Sequence, residues 1–147
     1  MIAHAEIFDR LASAIFRTCA SESEWAAKVA ASVETAISFA MDAPEEASLL
    51  VLDVVAADRA LAARAIASGD HLAGLLRAGR EHCPDAAASL PELTERALVG
   101  ATTSLIGSRL MADQVDRLPE LAPQLVHLIL MPYLGPDEAR QAAAATI

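Results

Sequence analysis

Lysine is almost absent from this chain. Lys28 is the single one, and the other basic residues are arginines scattered one at a time. Gripping nucleic acid requires clustered cations against phosphates, and a formal net charge of −9 has the opposite sign, so nucleic-acid binding by these residues alone is excluded. Cysteine is equally scarce. Cys19 and Cys83 stand far apart and form no Cys-x-x-Cys pattern, which argues for free, partly buried thiols in a reducing cytoplasm. Aromatics make up only 3 % of the residues and glycines number 6. Long hydrophobic runs are missing despite a mean hydropathy of +0.37. The longest uncharged run, 121–136, contains Gln124, His127 and three prolines, short of the roughly 18 apolar residues of a membrane span. The opening MIAHAEIFDR has two acids and no apolar stretch, so no secretory leader is expected.

Catalytic and metal-binding patterns are missing too. His4, His71, His82 and His127 have no second histidine at four-residue spacing and no Glu-x-x-His partner. His82-Cys83 is too short to chelate alone, so no metal and no cofactor are expected. GxSxG, HExxH and phosphate-loop words do not occur, and the reading is non-enzymatic.

What is present is alanine, leucine, glutamate and arginine, the strongest helix formers, in 147 residues of which 54 % are apolar. One all-α domain, a bundle of about six to seven helices, follows from that length and composition. A first helix is read over residues 2–20. Ser21 and Glu24 suggest a capping box for a second, to about Met41, with Trp25, Val29, Val33, Ala36 and Ala40 on one stripe. Asp42 and Pro44 mark the next start. Residues 47–57 have strand-like composition but no second strand to pair with, so helix is preferred, with Ala47, Leu50, Val51, Val54 and Val55 on one face. A helix capped by Asp58 is expected to about Arg80, with a break at Ser68-Gly69-Asp70. Residues 81–90 read as a connection, residues 91–113 as a long helix. Pro119 and Pro123 open another, and Gly135-Pro136 stops it before a frayed alanine tail.

Residues 118–136, LPELAPQLVHLILMPYLGP, carry one formal charge, Glu120. Leu118, Leu121, Leu125, Leu128 and Pro132 form one continuous seam. Ala122, Val126, Ile129 or Leu130, and Tyr133 form a second, turned away from it. A helix apolar on every side must be buried on every side, and a homodimer is expected to supply the second cover. The preceding long helix adds a line of small residues: Ala97, Gly100 or Ala101, Ser104, and Gly107 or Ser108. Leu98, Leu105 and Leu110 run beside it. Doubling the two helices about a two-fold axis builds a four-helix bundle with Ala97, Ala101, Ser104, Ser108, Leu121, Leu125, Leu128 and Pro132 at the interface. The alternative is that both helices belong to the core of a single chain.

Three passages carry a family resemblance: Trp25 to Val29 through Phe39 to Pro44, the segment ASLLVLDVVAADRA at 47–60, and residues 93–140. The last includes a Leu-Pro-Glu-Leu turn and a Tyr-Leu-Gly-Pro-x-Glu-Ala ending. Together they resemble the C-terminal regulatory domain of TetR-family (tetracycline-repressor type) transcriptional regulators. The resemblance implies a helical sensor domain, dimeric through its last two long helices. It implies that effector binding shifts the helix joined to a helix-turn-helix module, altering the separation of two DNA-reading heads. No such module is read in these residues, so operator binding is expected only of a parent protein.

A ligand pocket is expected between the helices preceding the dimer pair, apolar with a few polar groups. Phe16, Phe39, Val54, Leu75, Leu105 and Met111 are its candidate walls, and His71 a candidate inward contact. The implied partner is a small hydrophobic effector. The competing reading is a purely structural homodimeric helical module in which these residues are ordinary core.

Overall fold

The computed structural model describes residues 4–52 and 59–146. Among these residues helix dominates and no strand occurs, so the fold is all-α. The helices are α1 (His4–Ala20), α2 (Trp25–Asp42), α3 (Pro44–Leu52), α4 (Arg59–Arg77), α5 (Gly79–His82), α6 (Pro84–Ala87), α7 (Thr94–Met111), α8 (Leu121–Leu134) and α9 (Pro136–Ala144), with a 3-10 turn at Val115–Glu120 leading into α8. The helix preferred for residues 47–57 is present as far as Leu52, and the remainder of that segment, with Val54, lies outside the described residues.

Most boundaries follow local chemistry. Ser21 does not cap α2: its hydroxyl donates to the Thr18 carbonyl at 2.7 Å and finishes α1. Glu24 takes the N-cap position without a side-chain bond. A serine hydroxyl satisfied by its own preceding turn is no longer available to a following helix. Asp42 belongs to α2, and Pro44 opens α3, where its missing N–H costs nothing. No break occurs at Ser68-Gly69-Asp70, because α4 runs through it. The helix stops at Arg77, and the expected connection holds the single turns α5 and α6. Asp113 ends α7 with φ 56, a left-handed conformation that aspartate tolerates. Gly135 ends α8 with φ 83 and ψ 167, a backbone region only glycine enters readily, and Pro136 opens α9.

The core is built on α2 and α8. Trp25, Val29, Val33, Ile37 and Ala40 of α2 pack with Leu98 and Ile106 of α7, Leu118 of the 3-10 turn, and the apolar length of α8. Half of that helix's residues are buried by its own chain, while the face carrying Gln124, His127, Leu128 and Met131 is exposed or half-buried. Leu121 and Leu125 on one seam, and Ala122, Val126, Ile129, Leu130 and Tyr133 on the other, are all inside, against α2, α9, α7 and the 3-10 turn. One chain thus covers the second seam, together with Leu121 and Leu125 of the first, and leaves Leu128 and Pro132 half-buried. The missing cover is α9, which is not frayed: Ala139 and Ala143 are buried in the core beside α8. Alanines one turn apart let two backbones approach closely, and the last helix folds back as a lid.

The small-residue line of α7 divides. Gly107 is buried, and a Cβ there would collide with Val51 Cγ1 of α3. Ala97, Gly100, Ser104 and Ser108 are exposed and Ala101 is half-buried.

Candidate functional site

A cavity of about 670 Å³ lies among α1, α2, α3, α4 and α7. That volume falls within the range of small-molecule sites. Its space comes from small side chains where helices face each other: Ser32 and Ala36 on α2, Ala47 on α3, and Gly69 and Gly74 on α4 all line it. Phe8, Phe16, Phe39, Leu75 and Ile106 supply larger apolar walls.

Of the candidate pocket residues, Phe16, Phe39 and Leu75 are brought together on this wall. Phe16 is 70 % exposed and Leu75 44 %, so both stand at the rim. His71 is exposed and edge-on to Phe8 at 6.0 Å between ring centroids, outside the wall itself. Leu105 and Met111 are elsewhere, at 42 % and 71 % exposure on α7. Their helix turns Val99, Thr102, Thr103 and Ile106 toward the cavity instead. Val54 lies outside the described residues. Of the expected dimer residues, Leu121 and Leu125 are inside the chain's core, Leu128 and Pro132 are half-buried, and the small line of α7 is largely at the surface.

The polar groups on the wall were missed from the sequence. Ser32 and Thr102 are already engaged, each hydroxyl donating to a carbonyl of its own helix at 2.7 and 2.8 Å. Cys19 Sγ, on a thiol that is free and half-buried, lies 3.0 Å from Ser32 Oγ. Lys28, half-buried, lines the cavity and has no ion pair among the described residues. Trp25 lines it one turn earlier; its indole Nε1 is buried and has no hydrogen-bond partner. His4 and His82 complete the titratable groups, and among the described residues no aspartate or glutamate lines the wall. The available sequence signal was the three-residue spacing of Trp25 and Lys28, which puts both on one helix face.

Trp25 also joins the cavity to a second cluster. Its ring meets Tyr133 edge-on at 4.9 Å and stacks on His82 at 6.4 Å. Gly79 comes so close that an added Cβ would collide with the indole. Beneath Tyr133 lies Glu95, with none of its surface exposed. Tyr133 donates its hydroxyl to Glu95 Oε2 at 2.5 Å, Arg80 Nε donates to both carboxylate oxygens at 3.0 and 3.2 Å, and Arg77 Nε is 3.4 Å away. Arg80 also donates to the Pro91 carbonyl at 2.6 Å, tying α5 to the start of α7.

Burial alone pushes the Glu95 carboxyl up. The hydrogen bonds from Tyr133 and Arg80 and the charges of Arg80 and Arg77 outweigh it, and its pKa is lowered from 4.5. Burial, then the hydrogen bond to Glu95 and its negative charge, raises the Tyr133 hydroxyl above its usual 10.0. Cys83 is raised as well, by burial and by the Glu138 carboxylate.

Arg77 and Arg80 are close in sequence, but Glu95 follows Arg80 by 15 residues and Tyr133 follows Glu95 by 38, and no local spacing could have assembled the network. Among the described residues no group of three His, Cys, Asp or Glu side chains is placed to hold a metal, and no helix is long and apolar enough to cross a membrane. Comparison with known proteins gave no matching family model, no matching curated protein and no matching solved structure.

Proposed function

We propose that this chain is a ligand-sensing and dimerisation domain of the TetR-regulator type, binding a small, largely apolar effector in the cavity among α1, α2, α3, α4 and α7. The cavity itself is the observation that carries the reading. A purely structural bundle gains by filling such space, since apolar packing is lost around a void. Here small residues on three helices leave it open.

The sensing part is further supported by the route out of the cavity. Trp25 forms part of its wall and touches Tyr133 and Gly79, so an occupant that moves the indole also moves α5 and α8. Regulation of this kind requires the effector to bind one conformation better than another. In a full regulator the shift would pass to a helix-turn-helix module, and operator recognition would belong to that module. Dimerisation rests on the exposed line of small residues on α7, together with Leu105 and Met111, which stand at the surface beside it.

Trp25 is the single tryptophan, so its fluorescence reports on the cavity directly. Titration with the neutral dye N-phenylnaphthylamine should bring saturable energy transfer from Trp25 and raise the Tm. A chain that neither binds the dye nor gains stability would favour the ligand-free interaction module.

A further inference from the structure

We infer that the cavity is selective for an amphipathic monoanion, an apolar molecule ending in one carboxylate, with Lys28 receiving the charged end. The inference deepens the cavity reading proposed above and rests on it.

The chain has one lysine in 147 residues, and that lysine forms part of the wall of this cavity. It is half-buried and unpaired among the described residues, although acids outnumber bases 20 to 11 in the chain. Glu22 and Glu24, close by in sequence, are exposed and form no part of the wall. A cation left without a counter-ion in a partly desolvated place favours an anion there. One turn away on the same face, Trp25 holds a buried N–H without an acceptor. Lys28 therefore sets one positive charge on a wall without acids among the described residues, and a carboxylate is the group that answers it.

Apart from Cys19, two histidines and four hydroxyl side chains, the rest of the wall is apolar. Phe8, Phe39, Leu72, Leu75, Val99 and Ile106 are apolar, and Ser32 and Thr102 have spent their hydroxyl protons on helix carbonyls. Among the described residues no acidic side chain waits to receive an amine. An alkyl or aryl carboxylate fits this distribution, whereas a cation would meet Lys28 as a like charge.

Calorimetric titration of the chain with decanoate, decanol and decylamine separates charge from apolar burial. Decanoate should bind about tenfold more tightly than decanol, with decylamine the weakest. Lys28→Met keeps the aliphatic stem and should bring decanoate to the decanol level while leaving decanol unchanged. Lys28→Arg should restore the preference, which a mere loss of folding in Lys28→Met would not predict. Equal binding of decanoate and decanol by the native chain, or a preference that survives Lys28→Met, overturns the inference and leaves the cavity reading standing. Failure of all three to bind overturns both.

Discussion

The two halves of the molecule that meet at α2 are packed by different rules. Toward α8 and α9 the interior is filled: leucines, Tyr133 and Trp25 pack into one cluster, and a buried carboxylate is satisfied by one hydroxyl and two guanidinium groups. Toward α1, α3 and α4 the facing positions are alanine, serine and glycine, and about 670 Å³ is left open. Close packing is the norm inside proteins, so the filled half is where stability is concentrated, and the open half is where the proposed binding would take place. Trp25 belongs to both and is the physical link between them.

The sharpest way to break this comparison is to remove the buried carboxylate. Glu95→Ala leaves Arg80 and Tyr133 without their acceptor and should cost about 3–5 kcal/mol in urea unfolding, with decanol affinity retained in the folded fraction. A loss under about 1 kcal/mol would mean that the network does not hold the packed half. Gly79→Ala forces a methyl into the indole and should cost about 1–3 kcal/mol, with a shifted Trp25 emission maximum; unchanged emission and stability would contradict the close approach.

A matched pair of enlargements tests the contrast itself. Ala122→Leu, on the filled side, should lose about 1–3 kcal/mol. Ala36→Leu, on the open side, should cost less than about 1 kcal/mol and abolish dye binding. If both destabilise equally, the open half is not open.

The titrations of Glu95 and Tyr133 predict where pH acts. Glu95 has a lowered native pKa, so its contribution is complete above its usual 4.5 and is lost as pH falls through the lower native value. Tyr133 is raised, so its contribution is complete below 10.0 and is lost as pH rises beyond that. Thermal melts should therefore be flattened on the acid side by Glu95→Gln and on the alkaline side by Tyr133→Phe, and unaltered profiles would exclude this account. The smallest effect on stability belongs to the surface. Ser104→Arg should change stability by less than about 0.5 kcal/mol yet convert a sedimenting dimer to a single chain. A native chain that sediments alone at micromolar concentration would remove dimerisation from the proposal while leaving the cavity.

Helix type and helix faces were legible because they are local. In the α2 stripe Trp25, Val29, Val33 and Ala40 are buried as the spacing requires and Ala36 is half-buried, and Gly135-Pro136 stops α8 where their backbone preferences dictate. Cover was not legible. Alanine in α9 reads as a frayed tail until Ala139 is placed against α8. The walls Phe16, Phe39 and Leu75 could be named from apolar spacing, but Leu105 and Met111 could not be rejected, because α7 has apolar residues on several faces. Glu95 was not singled out in the sequence, since nothing in its own helix reports that Arg80 and Tyr133 converge on it.

Composition and period alone thus determined an all-α chain, the approximate extent of its longer helices and the absence of any familiar catalytic pattern, because backbone preference and side-chain periodicity act over a few residues. Which seams close within one chain, where volume is left empty, and that the single lysine stands at that empty volume were decided only by the tertiary structure. Those outcomes depend on side chains meeting across helices distant in sequence, and no local rule contains them.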